Sequence, residues 1–369
     1  MKNNQIRSIK YNFVMNLILT ASNFLFPLIT FPYVSRVLQV EANGIIAYVT
    51  SIVSYFSLVA SLGIPTYGIR AAATVRDDKR KLSKVVQELL IINIVLVGLV
   101  LIIYFIMLFT VPSMLVYREL FYINAIGIIL NVLGVNWFFQ AIEQYDYITV
   151  RSIIFRVLSI ALMFIFVHQP SDYIIYGLIL VLSSAGSNIL NFKRLFKYIT
   201  LKKQDKYEFV PHFKPILILF AQSLVISIYT NLDLIMLGSI KDSYEVGLYT
   251  AATKLKLILL SVVNSLGNVL LPRMSYYVKR NMKEQFERVM AQALNFTLFI
   301  SLPLAIFFTL NANESLLILA GEQYLGAVLS MQFLTIAVIP IGITGVLGIQ
   351  VLTPLEKEKY LLISVIVGA

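Results

Sequence analysis

Apolar runs of about 18 residues or more, separated by short polar segments, recur along the 369-residue chain from Asn12 to its last residue. Wound as a helix at ~1.5 Å per residue, each such run crosses the roughly 30 Å of a bilayer's hydrocarbon. The pattern predicts ten full spans, at 12–37, 44–70, 86–110, 120–142, 148–168, 173–196, 215–240, 246–274, 286–310 and 325–352, and the start of an eleventh near Tyr360. Alternating strands of ~10 residues, the mark of a membrane β-barrel, are absent. The expected fold is an all-α integral membrane protein.

The polar connections alternate in character. One set, together with the helix ends beside it, carries 25 of the 30 Lys and Arg residues, and the opposite set carries only Arg36, Arg118 and Lys241. The remaining two, Lys254 and Lys256, lie inside a span. The excess of cations on one side predicts a cytoplasmic N-terminus. The longest basic connection, 201–214, divides the chain into an N-lobe, 1–200, and a C-lobe, 215–369, the expected architecture being a two-lobe helical bundle. A shift of 203 residues places Gly44 on Gly247 and Arg70 on Arg273, as for an internal repeat. On that repeat the second lobe is short by roughly 35 residues, about a helix and a half, and is expected to be truncated.

Composition agrees with the pattern: 59% of residues are hydrophobic and 13% charged, with a mean hydropathy of +0.82. The net charge of +11 is read as topology determinants attracted to anionic inner-leaflet lipid, with no nucleic acid implied. The basic start is followed by a long apolar run without a small-residue cleavage site, so it reads as a retained first helix and not a signal peptide. Without cysteine there are no disulfides, thiolate metal sites or cysteine catalysis. His168 and His212 fall in loops on opposite sides, and no phosphate loop, catalytic triad or large external loop is present. Neither a cofactor, a metal nor enzymatic activity is expected. Residues 311–324 are the one outer segment long enough for a small interfacial helix, and Trp137 is expected in the interfacial aromatic belt.

Charges inside spans are costly wherever they face lipid. Asp233 lies roughly 10 Å below the outer end of its span, and Lys254 and Lys256 roughly 12 and 15 Å down the next one. Asp233 and Lys254 suit either a structural ion pair within the hairpin or a charged element facing water. Lys256, about 200° around the helix from Lys254, cannot share its partner, so at least one of the two is expected to face an aqueous cavity. Arg156 is a further cavity candidate, with snorkelling to the interface as its alternative. Arg36, Arg70 and Arg273 stand at helix ends, where interface anchoring is the simpler explanation, and Glu88 and Glu143 sit near the inner interface.

Four stretches carry a family resemblance: "FPYVSRVLQVEANGIIAYVTSIVSYFSLVASLGIPTYGIR" (31–70), "NWFFQAIEQYDYITVRSI" (136–153), "IYTNLDLIMLGSIKDSYEVGLYTAATKL" (228–255) and "LLPRMS" (270–275). They resemble the polysaccharide, or oligosaccharide-lipid, flippases of the multidrug/oligosaccharidyl-lipid/polysaccharide exporter superfamily, the Wzx-like group. The chain departs from the family's usual residues at Gln39, Ala71, Asn136 and Ala141. The resemblance implies two six-helix lobes forming a V and alternating access. It implies movement of undecaprenyl-pyrophosphate-linked oligosaccharide between leaflets of a bacterial cytoplasmic membrane, for capsule or O-antigen assembly. In that picture Lys254, Lys256, Arg156 and Arg36 are cavity cations for the substrate, Asp233 is a hairpin or coupling group, and Arg70, Arg273 and Glu143 form an inner gate. The expected partners are the lipid-linked oligosaccharide, membrane lipids, a polysaccharide polymerase and a chain-length regulator, around a monomer. The alternatives are a cation-coupled multidrug exporter, which would favour carboxylates in its cavity, and a non-transporting membrane subunit or membrane glycosyltransferase.

Overall fold

The computed structural model describes residues 9–264 and 276–352, together with 270, 274, 354, 355, 357, 360, 363 and 364. Every regular element among the described residues is helical. Nine of these stretches are long and apolar enough to cross a membrane, and the first, Tyr11–Thr74, holds both spans expected at 12–37 and 44–70. Its main helix, α1 (Ile9–Ser61), has 53 residues, or ~80 Å if straight, far beyond the thickness of the hydrocarbon.

A break at Gln39 divides it. There the backbone sits at φ 65°, ψ −177°, a region that clashes with a Cβ and is left almost entirely to glycine. Two side chains hold the break in place. Asn43 Nδ2 donates to the Gln39 carbonyl (2.8 Å) and to Tyr324 Oη (2.9 Å), and the Tyr324 hydroxyl donates to the same carbonyl (3.0 Å). The departure from the usual family residue at this position thus falls on strained backbone.

The chain forms two compact units, one of residues 1–26 and 45–239, the other of residues 27–44 and 240–369. The first contains α2 (Ile64–Thr74), α3 (Lys79–Thr110), α4 (Pro112–Val116), α5 (Arg118–Leu133), α6 (Asn136–Ala141), α7 (Tyr145–Phe166), α8 (Tyr173–Val181), α9 (Asn188–Leu195) and α10 (Val210–Ile240). On α3, Val86, Leu89, Asn93, Val97, Val100, Tyr104 and Leu108 recur every three or four residues and are buried. Val95, Leu99, Ile102 and Ile106 on its other side stay exposed, as lipid-facing side chains do. The buried polar groups are satisfied: Asn93 Nδ2 donates to the Ala60 carbonyl and the Tyr104 hydroxyl to that of Phe121.

Trp137 corrects an expectation. It is 5% exposed, within the core formed with Ile64, Val86 and Phe138, because the left-handed Val135 (φ 38°) starts α6 turning inward. Its ring lies on Gly68, where any Cβ would overlap it. Helix α10 belongs to this unit although it follows segment 201–214, the boundary read from loop charge. The reason lies in packing along its length. Gly63 (φ 70°) approaches the backbone of Ile216 and Phe220, the Tyr55 hydroxyl donates to the Ser227 carbonyl (3.2 Å), and the Tyr48 ring covers Gly238.

The second unit holds α11 (Ser243–Val263), α12 (Lys283–Leu310), α13 (Ala312–Leu319), α14 (Val328–Ile336) and α15 (Val338–Gly345). The small helix expected within 311–324 is α13. Ala251, Ala252, Leu255 and Leu259 of α11 bury against Tyr324, Ala327, Met331 and Val338, with Phe31 and Val40 of α1 in the same core. Close approach is possible because Gly44 meets the Ser243 carbonyl and Gly247 meets that of Val40, leaving no room for a side chain at either position.

Gln39→Gly should raise thermal stability by about 1–2 kcal/mol, since the backbone keeps both hydrogen bonds and loses its steric conflict. Gly247→Ala should lower it by about 1–3 kcal/mol through overpacking against the Val40 carbonyl. Thermal unfolding in detergent, monitored by fluorescence or circular dichroism, checks both.

Candidate functional site

An arginine within an apolar helix needs its donors filled by oxygen atoms of the protein, because lipid offers none. Helix α7 carries two such residues, Arg151 and Arg156. The Arg156 guanidinium donates to Ser22 Oγ and Asn23 Oδ1 of α1 and stands 5.8 Å from the centre of the Phe26 ring. All these partners are neutral. In this setting the Arg156 charge is hydrogen-bonded but not neutralised.

Arg151 is the more deeply placed of the two, at 4% exposure. Its Nη1 donates to the Ser187 carbonyl (3.1 Å) and its Nη2 to Asn136 Oδ1 (2.8 Å), with the Tyr147 ring centre 5.6 Å away. Asn136 Oδ1 also accepts from Asn191 Nδ2 (2.8 Å), and Asn136 Nδ2 donates to Asn188 Oδ1 (3.1 Å). Three irregular features surround this cluster: left-handed Val135, Gly134 pressed on Asn188, and the π-helical turn Leu182–Gly186 just before Ser187. Such π turns concentrate at functional sites. Arg151 Nε and Asn191 Oδ1 have no hydrogen-bond partner among the described residues. In the sequence Arg151 falls near the start of the span predicted at 148–168 and counts only among the basic residues of one side. Asn188 and Asn191, three apart on one face of α9 and buried, were the signal that a polar partner lay nearby.

Among the described residues neither arginine has a carboxylate partner. Enclosing an unpaired charge costs several kcal/mol, and α7 bears that cost at Arg151, whereas Arg156 is only partly buried. In the second unit, Lys254 and Lys256 lie partly buried on α11. Lys254 makes no hydrogen bond or ion pair among the described residues, and its neighbours Thr250 and Thr253 spend their hydroxyls on the carbonyls of Val246 and Thr250. Asp233 stands in α10 of the first unit, its Oδ1 accepting the Leu234 amide (2.9 Å).

The remaining predicted residues separate into different settings. Arg36 donates to the carbonyls of Pro32 (2.6 Å), Leu317 (3.1 Å) and Ile318 (2.7 Å), so its charge caps the C-terminal end of α13. Glu143 (φ 57°) accepts from Arg76 Nη1 at 2.6 Å and from Asn12 Nδ2 at 3.4 Å. That bond to Glu143 raises the Arg76 pKa above its ordinary value. Arg70 is exposed on α2, and Arg273 lies outside the described residues. No group of three or more His, Asp or Glu side chains fit to hold a metal occurs among the described residues. The arrangement is cationic and hydrogen-bonding, and suits phosphate or acidic sugar groups better than acid–base chemistry.

The model of a family described as polysaccharide biosynthesis protein matches residues 9–278, and the MatE model matches residues 219–369. A protein named for O-antigen transport in Escherichia coli strain K12 is 26% identical over 98% of this chain and 88% of its own length. One similarly named in Shigella dysenteriae is 27% identical over 98% of this chain and 90% of its own. No solved structure matches the chain.

Arg151→Lys keeps the charge but cannot span both the Ser187 carbonyl and Asn136 Oδ1 with a planar fork. A loss of about 1–3 kcal/mol is expected in thermal unfolding, with the helical circular dichroism spectrum unchanged at low temperature.

Proposed function

Because the chain belongs to the polysaccharide biosynthesis protein family, we propose that it carries an undecaprenyl-pyrophosphate-linked oligosaccharide from the inner to the outer leaflet by alternating access. It is a multi-pass membrane transporter of the Wzx-like group and not an enzyme. The bacterial cytoplasmic membrane and a cytoplasmic N-terminus form part of the proposal, supported by the distribution of basic residues.

One observation carries the reading. Helix α7 holds Arg156 with neutral oxygens alone among the described residues, so a positive charge is kept available inside an apolar helix. A lipid-linked sugar presents a diphosphate and many hydroxyls, and hydrocarbon would strip water from all of them. Arg156 in the first unit, and separately Lys254 and Lys256 in the second, each offer charge-assisted bonds to the diphosphate or to acidic sugars while the polyprenyl chain remains in lipid. Arg70 and Glu143 act at the cytoplasmic gate, and Asp233 in coupling. The transporter acts as a monomer and passes its cargo to a polymerase and a chain-length regulator.

Delivery is measured in cells lacking their own flippase, as surface polysaccharide and as lipid-linked repeat units reaching the outer leaflet. Arg156→Gln and the double variant Lys254→Gln/Lys256→Gln should each reduce delivery roughly tenfold or more at equal membrane abundance, the loss expected for charge-assisted contacts. Unchanged delivery in both variants would overturn the cationic pathway. Drug export with no polysaccharide defect would favour the multidrug reading.

A further inference from the structure

The proposed transport pathway makes no use of one enclosed ionisable pair in the first unit. Glu88 of α3 and His212 of α10 are 2% and 7% exposed, 124 residues apart in sequence, and meet with Oε2 and Nε2 at 3.0 Å. On the other side of the ring, Nδ1 lies 2.7 Å from the Tyr67 hydroxyl of α2. The second oxygen of Glu88 accepts the Glu208 amide at 2.7 Å. Three helices and the segment leading into α10 thus converge on one imidazole.

With Glu88 ionised, the hydrogen inventory has a single arrangement with every position filled and the ring neutral. Nε2–H donates to Glu88, Nδ1 accepts from the Tyr67 hydroxyl, and the other carboxylate oxygen takes the Glu208 amide. A proton added at Nδ1 converts that acceptor into a donor. The Tyr67 oxygen must then accept Nδ1–H and its own hydrogen must turn away, while the ring and Glu88 become an enclosed imidazolium–carboxylate pair. Charged groups facing this site are Arg70 on α2, Lys84 on α3, and Glu208, which pairs with Lys84 at 3.3 Å. Lys214 follows on α10. Imidazole is the side chain whose proton exchange lies nearest to neutral pH.

We propose that Glu88, His212 and Tyr67 form a proton-binding site that couples uptake of one proton to the setting of α2, one turn from Arg70, against the start of α10. The proposal stands independently of what the chain transports. Enclosure between three elements makes the site a sensor of their packing: separating α10 from α3 removes the carboxylate from the ring and releases the proton.

The chain has two histidines, and His168 is exposed in a loop, so His168→Gln leaves His212 as the sole reporter. Histidine-selective ¹⁵N labelling of this 369-residue chain in lipid nanodiscs, followed by NMR between pH 5 and 9, reads tautomer and protonation directly. The expected result is the Nε2–H tautomer at the alkaline end and uptake of one proton on acidification. Glu88→Gln should lower the proton affinity of His212 at least ~tenfold by removing the carboxylate, and Tyr67→Phe should raise it by removing the competing donor. Opposite displacements are not what general loosening of the fold produces. An Nδ1–H tautomer at the alkaline end, or a titration indifferent to both substitutions, would overturn the site. Tyr67→Phe removes only a hydroxyl, so it tests the proposal even if Glu88→Gln fails to fold.

Discussion

In hydrocarbon, a charged group is tolerated only where the protein itself supplies the atoms that water would have supplied. That constraint organises the first unit. Arg151 draws a carboxamide and a main-chain carbonyl from α6 and from the turn before α9, and those partners are positioned in turn by Asn188 and Asn191. Arg156 draws on α1 in the same way. The two arginines tie α1, α6 and the turn before α9 to α7, so the solvation of these charges and the packing of the unit are one arrangement.

The backbone answers to the same constraint. Helices satisfy their own hydrogen bonds, and irregular backbone has to be covered from elsewhere. The break at Gln39 is covered by Asn43 and Tyr324, and Arg36 closes the carbonyl end of α13. Where helices meet through backbone instead of side chains, glycine is the only residue that fits, as at Gly44 and Gly247. These two positions align with one another in the internal repeat read from sequence. In the structure they mark one crossing in the second unit.

The all-helical membrane fold, the small helix α13 and the family were legible in the sequence, because each rests on local pattern: apolar run length, a polar gap, and motif spacing. Trp137 was misjudged for the same reason. A tryptophan near a helix end suits the interface, and only the left-handed turn at Val135 directs it inward onto Gly68. The candidate site was legible in part. Depth alone singled out Arg156 as a candidate, whereas Arg151, inside the same predicted span, was not singled out because its partners come from segments 15 to 40 residues away. For Arg36, the carbonyls of Leu317 and Ile318 that accept its donors lie 281 and 282 residues on and left no sign in the sequence.

By itself the sequence determined which segments form helices long and apolar enough to cross a membrane, since that depends on apolar run length, a property of contiguous residues. Which buried charges find partners was decided only by the tertiary structure. Glu88 and His212 read as two unrelated polar residues until α3 and α10 pack together, because a hydrogen bond of 3.0 Å depends on distance in space and leaves no trace in spacing along the chain.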